Sequence, residues 1–127
     1  MSFCREVINE LENEGIGVFG DDIFLGTSPQ KSGVQLTVYD TGGNPPRKDN
    51  TKLLTFQFIS KAEKYVDAEE LIKVADEVVR ERYYCFFGDY LVLLLEARGE
   101  PGSIGRDENE RHMFSSNYNA RIRKINY

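Results

Sequence analysis

Tryptophan is absent from the 127-residue sequence, histidine occurs once, at His112, and cysteine twice, at Cys4 and Cys85. A lone imidazole leaves any zinc site without the second histidine that usually orients such ligands. Two cysteines so far apart are too few for a disulfide scaffold and too distant for a short metal knuckle. Both sit among apolar neighbours, which reads as buried free thiols in a reducing cytosol. Nothing approaches the ~18–20 consecutive apolar residues of a membrane-spanning helix. The longest apolar run, Tyr90–Leu95, suits a buried strand. The opening residues Met1–Glu10 carry acids and no apolar signal-peptide core, which reads against secretion. Positive charge is also short. A formal net charge of −5 argues against a general nucleic-acid binder.

What is present is ordinary soluble composition, 40% hydrophobic and 29% charged, on a length that suits one domain over residues 1–127. The charge is uneven. Residues 1–26 hold one base and six acids, whereas residues 98–127 hold six bases and four acids. Such a gradient can steer identical subunits head to side.

Ser2 is placed to cap a first helix in which Phe3, Cys4, Val7, Ile8 and Leu11 form one apolar stripe, with Gly15 ending it. The stretch from Ile16 to Gly26 holds two short apolar pieces around the turn-like Gly20-Asp21-Asp22, and reads as a short strand or hairpin. Val34, Leu36 and Val38 alternate with Gln35, Thr37 and Tyr39, and Leu54, Phe56 and Phe58 with Thr55 and Gln57: two strands. Between them Asp40–Lys52, with Gly42-Gly43 and Pro45-Pro46, predicts a loop longer than a hairpin needs. A second helix is expected with Asp67 as N-cap, Glu70 completing a capping box and Val66 and Leu71 as staple. Its stripe is Ala68, Leu71, Ile72, Ala75, Val78 and Val79, which is core packing.

Tyr90–Ala97 is apolar on both faces and should lie centrally in a sheet or in a subunit interface. A second long loop, Arg98–His112, leads to a last strand. Phe114, Ser116, Tyr118, Ala120 and Ile122 take one face, and Ser115, Asn117, Asn119, Arg121 and Arg123 the other. The order α-β-β-β-α-β-β predicts an α+β fold: a mostly antiparallel sheet with two helices packed on one face.

Candidate chemistry concentrates around the single histidine. Asp107, Glu108, Glu110 and His112 could serve a small metal-dependent hydrolase, with Glu110 and His112 sharing a face if that stretch is a strand. The alternative is a charged turn feeding the last strand. No G-x-S-x-G elbow is present, and neither cysteine has a partner visible in the sequence. The glycines and bases of Gly42–Lys48 lack phosphate-loop spacing, and Pro45 and Pro46 remove N–H donors that a phosphate cradle requires. The polar row Asn117, Asn119, Arg121 and Arg123 reads either as a solvated sheet face or as an assembly surface.

The bend Gly42-Gly43-Asn44-Pro45-Pro46, the helix from Asp67 to Val79, and Gly105-Arg106-Asp107-Glu108-Asn109 leading through Arg111 to Ser116-Asn117-Tyr118 occur in order over nearly the whole chain. In this the sequence resembles the tail terminator (head–tail joining) proteins of tailed bacteriophages, often labelled minor capsid proteins. The family turn often reads Asp-Glu-Asn-Gly-Arg, and Glu110 stands here in the place of that glycine. The resemblance implies a structural α+β subunit without catalysis, cofactor or metal. It implies a ring, commonly six-fold, that caps the tail tube, ends its polymerisation and joins tail to head. Its partners would be copies of itself, the tail tube protein and a head connector protein, with no membrane and no specific nucleic acid, although DNA passes through the ring. Such a protein resides in the virion at the head–tail interface after assembly in the host cytoplasm. Another head–tail connector or completion protein would share much of this pattern. Interaction residues would then come from the two loops and the polar row: Pro45, Pro46, Arg47, Lys48, Arg106, Asp107, Glu108, Arg111, Asn117, Asn119, Arg121 and Arg123. Asp107 and Arg111 would either fix the turn or bridge to a neighbour.

Overall fold

The computed structural model describes residues 2–29 and 33–125. The first helix, α1 (Phe3–Asn13), starts where Ser2 accepts a hydrogen bond from the Arg5 backbone N–H at 3.2 Å. It stops before Gly15, whose φ of 76° lets the chain turn away. The expected stripe, Phe3, Cys4, Val7, Ile8 and Leu11, is buried as a unit.

The seven strands form one sheet: β1 (Ile23–Leu25), β2 (Gln35–Gly43), β3 (Thr51–Ala62), β4 (Cys85–Phe87), β5 (Tyr90–Ala97), β6 (Gly102–Arg106) and β7 (His112–Lys124). The spatial order is β1-β2-β3-β7-β5-β4, with β6 also on β7. All pairs are antiparallel except β1 with β2. The long strand β7 is the hub. One edge pairs with β3 along its length, from His112 beside Ala62 to Arg123 beside Thr51. The other edge is shared end to end by β6, against His112–Ser115, and β5, against Tyr118–Lys124.

Alternation along β7 divides the faces as expected, with Phe114, Ser116, Tyr118, Ala120 and Ile122 buried. They meet Phe56 and Phe58 of β3, Leu36 and Val38 of β2, Val92 and Leu95 of β5, and the stripes of both helices in one core. Stripping water from this apolar surface is the main force holding the two layers together. Helix α2 (Tyr65–Val79) lies over β3 and β7, and α1 over β1, β2 and β4.

The expected element order is therefore present, with two short strands, β4 and β6, added inside segments read as a helix end and a loop. Three-residue and glycine-rich strands carry too little periodicity to announce themselves. The predicted loop Asp40–Lys52 also shortens. Asp40–Gly43 remain paired to β3 through a register shift between Asp40 and Gly42, with Gly42 at a φ of 109°. Glycine thus supplies a bulge and not a break. What remains, residues 44–50, is a tight connection closed by the Arg47 N–H to the Thr51 carbonyl at 2.8 Å.

Helix α2 begins two residues before the expected cap. Lys64 takes the N-cap position without a side-chain bond, and Asp67 lies in the first turn, where its charge suits the helix dipole. The cause is packing: the Tyr65 ring meets Phe114 at 4.9 Å and His112 at 5.6 Å, drawing the chain into the helix early. Cys4 is buried and its thiol is pushed up to about 12, by burial and then by the charge of Asp40; Cys85 is only half-buried.

One polar connection crosses the layers. The Tyr118 hydroxyl donates to Asp76 Oδ1 of α2 at 2.6 Å and shares a proton with Ser116 Oγ at 2.7 Å. Asp76 Oδ2 accepts from Arg80 Nε at 2.7 Å, which raises the Arg80 pKa. Burial, reinforced by the Asp76 carboxylate, drives the Tyr118 phenol far above its ordinary pKa. Removing the hydroxyl strands a buried acceptor on Asp76 and a buried donor on Ser116, so Tyr118→Phe is expected to cost about 1–3 kcal/mol. A urea midpoint unchanged from the parent would contradict that role.

Candidate assembly surface

The helices cover one face of the sheet and leave most of the other open. On the open face, the β3–β7–β5–β4 register sets side chains in cross-strand rows. Thr51, Arg123, Leu91 and Phe86 form one row, and Leu53, Arg121 and Leu94 the next. Thr55, Asn119 and Glu96 follow, then Gln57 beside Asn117. The predicted polar row is thus one continuous feature, flanked at its β5 end by apolar groups. Phe86 is 55% exposed and Leu94 42%. Strand β5 is one position from the sheet edge, and its apolar outer face is left largely uncovered. At the far end of the sheet β2 is covered on this side too. Gln35 and Thr37 are buried, and Gln35 Nε2 donates to the Pro29 carbonyl at 3.2 Å.

The loop residues do not share one site. Pro45, Pro46, Arg47 and Lys48 are exposed in the 44–50 turn, beside the Thr51–Arg123 end of the β3–β7 ladder. Arg106, Asp107, Glu108 and Arg111 lie at the Ala62–His112 end. Eleven residue steps of paired strand separate the two ends, roughly 35 Å. The sheet therefore presents one charged turn at each end.

The turn around the single histidine is held inside the chain. Asp107 Oδ1 accepts from the backbone N–H groups of Asn109 and Arg111, each at 2.9 Å, and Oδ2 from Arg111 Nε at 3.0 Å. Lys61 Nζ adds a charge at 3.7 Å. Arg111, only 4% exposed, is a structural residue of this turn and not an outward contact. Glu110, at the position of the family glycine, takes a φ of 65° and keeps the turn tight at some backbone cost. Its carboxylate pairs with Arg106 at 3.0 Å. Glu108 is exposed. His112 lies edge-on to Tyr65. Three of the four groups considered for a metal-dependent hydrolase, Asp107, Glu110 and His112, thus meet different partners, and Glu108 faces solvent. Among the described residues, no three His, Cys, Asp or Glu side chains are grouped to hold a metal ion.

Burial pushes the Asp107 pKa up, but the Arg111 and Asn109 backbone donors and the Arg111 guanidinium outweigh it, and the net shift is downward. A carboxyl held below its unfolded value of about 4 stabilises the fold above that pH. The contribution is lost as pH falls through the lower, folded value. Stability measured against pH should therefore fall in this acid range in the parent and fall less in Asp107→Asn. Superimposable pH profiles would contradict the assignment.

Sequence reading missed an apolar knuckle at the β1 end. Val18 and Phe19 are 54% and 39% exposed. The Val18 N–H donates to Asp22 Oδ1 at 2.6 Å and the Phe19 N–H to Glu12 Oε2 at 3.0 Å. The Arg5 guanidinium lies 4.1 Å from the Phe19 ring centre. A side chain at Gly17 would press on the Asp22 carboxylate that holds the Val18 N–H, so glycine there leaves that bond undisturbed. The surrounding Gly-Val-Phe-Gly pattern was the available signal.

Residues 10–124 match the protein family described as bacteriophage tail terminator protein. Among solved structures, the chain is similar to one from the virion of a native gene transfer agent particle. That similarity has a TM-score of 0.59 at 10% identity, covering 95% of this chain and 94% of the other. No curated protein matches it in sequence.

Proposed function

The chain belongs to the bacteriophage tail terminator family, structural components of the phage tail and head–tail junction, and from that premise we propose that it closes with copies of itself into a ring of six. The ring caps the tail tube, ends its polymerisation and offers its opposite rim to the head connector. The chain acts as a single domain and performs no bond-breaking chemistry, and DNA passes through the ring without sequence-specific contact.

The observation that supports this reading most is the bipolar sheet. With strands running roughly along the ring axis, one rim carries Pro45, Pro46, Arg47 and Lys48 and the other carries Arg106, Glu108 and Glu110. A protein between two unlike neighbours needs two unlike rims. The lateral sides, bearing the Val18–Phe19 knuckle and the Phe86–Leu94 patch, are left for neighbouring copies. A ring requires such a heterologous contact, one patch meeting a different patch.

The test is tube growth in vitro. Tail tube protein polymerised with this chain present should give shorter tubes that stop elongating when fresh subunits are added. Tubes that grow at the same rate and to the same length with and without it would remove the reading.

A further inference from the structure

The two lateral apolar features differ in chemistry as well as position. The knuckle sits at the β1 end of the strand order and the patch at the β5–β4 end. The knuckle is fixed before any partner arrives. Two carboxylates hold its backbone N–H groups, and a guanidinium packs on the Phe19 ring. Such anchoring lowers the ordering cost of binding, and a merely solvated turn has no need of it. Two exposed carboxylates flank it in the sequence, Glu14 just after α1 and Asp21 in the same turn.

The patch has the complementary character. Phe86 and Leu94 lie on the open face with the half-buried Leu91 and Leu53, and the register runs Arg121 and Arg123 through them. Among the described residues, the side chains of Arg121 and Glu14 have no ion-pair or hydrogen-bond partner. One molecule thus carries an apolar bump flanked in the sequence by acids and an apolar sheet surface crossed by arginines, at opposite ends of the strand order.

We propose that the Val18–Phe19 knuckle of one copy seats on the Phe86–Leu94 patch of the next, with Glu14 facing Arg121. This rests on the ring reading and specifies its subunit contact. The contact is heterologous, so each copy uses both features and the chain of contacts closes by rotation. A buried aromatic anchor with an oriented arginine beside it is the usual composition of an interface centre, and the rest of the buried area would come from the surrounding rim. The acidic α1 end of one subunit and the basic β7 face of the next supply the long-range attraction, which orients the encounter.

Site-directed crosslinking tests the contact. Chains carrying Val18→Cys or Leu94→Cys, each with Cys85→Ala to remove the half-buried native thiol, are oxidised with diamide at concentrations where the unsubstituted chain is oligomeric. A disulfide-linked pair should form in the mixture and in neither variant alone, and a chain carrying both substitutions should give a covalent ladder. Separately, Arg121→Glu should weaken self-association at least about tenfold, and Glu14→Arg should restore it in the double variant. Pairs from Leu94→Cys alone would mean a two-fold, patch-on-patch contact and would overturn the proposal. Absence of the 18–94 link in a chain that still forms its oligomer would also overturn it, leaving the ring intact. If the unsubstituted chain never self-associates, alone or on tail tubes, the ring reading fails and this contact with it.

Discussion

Asp107→Ala is expected to remove about 3–5 kcal/mol of stability, because it takes from a buried guanidinium the carboxylate that its Nε donates to. Arg111 is almost completely enclosed, and Asp107 Oδ2 accepts from its Nε at 3.0 Å. The same carboxylate also closes the turn by accepting from two backbone N–H groups. Alanine deletes all three interactions at once and abandons the nearby Lys61 charge as well. Against the roughly 5–15 kcal/mol that a domain of this size has in hand, such a loss approaches unfolding. Asp107→Asn is the informative companion, since its amide oxygen still accepts backbone bonds while the charge is gone; it should lose less. Urea titration followed by circular dichroism gives both values. A loss below 1 kcal/mol for the alanine variant would show that Arg111 is compensated elsewhere and that the turn does not depend on Asp107.

The second large effect is expected at Gly88. It sits in the two-residue connection between β4 and β5 with a φ of 60°, a conformation that costs other residues about 1–2 kcal/mol. A side chain there would also fall on the carboxylate of Glu6, which is buried on α1 and accepts from Asn9 Nδ2 at 2.8 Å. Displacing that acid from its partner adds about 1–3 kcal/mol. Gly88→Ala should therefore destabilise by about 2–5 kcal/mol in total. The damage would reach α1, whose Phe3 ring lies between Phe87, at 5.9 Å, and Tyr90, at 5.5 Å. Thermal melts of Gly88→Ala and of Gly88→Ala with Glu6→Ala separate the two causes. Partial recovery in the double variant is expected. No recovery would leave backbone strain as the whole effect, and a melting temperature equal to the parent's would contradict both.

Much of this architecture was legible before any coordinates. Phe114 to Ile122 alternate so strictly that the buried and open faces of β7 could be assigned residue by residue. The α1 stripe and its Ser2 cap were equally plain. Short elements were less so: β1 fell within the stretch read as a short strand or hairpin, but β4 and β6 were read as a helix end and a loop, because so few residues show no period and their pairing depends on partners distant in sequence. The parallel β1–β2 pair in particular has no local signature. Burial of charge was the other blind spot. Arg111 was read as fixing its turn or bridging to a neighbour, Asp76 and Glu6 drew no reading, and each is buried beside a specific partner. For Asp76 the clue was available: it shares the inward stripe of α2 with Ile72 and Val79, opposite the only tyrosine on the inward row of β7.

The candidate surface divides the same way. Asn117, Asn119, Arg121 and Arg123 were visible as a row from alternation alone. Their apolar flank was hidden, because Phe86 and Leu94 join it only through the β4–β5–β7 register, which shifts between Val92 and Leu94. The two charged loops could be found in the sequence but not placed. Their position at opposite ends follows from the antiparallel β3–β7 ladder, and it turns two similar loops into two distinct rims.

Where the chain sits on a tail tube is the most direct test of the central claim, that this protein works by shape and charge against copies of itself and a cylinder. Electron microscopy of tail tubes incubated with a gold-labelled chain should show one cluster of label at one end of each tube, and no further growth from that end. Label spread along the tube wall, or tubes left bare, would contradict the account.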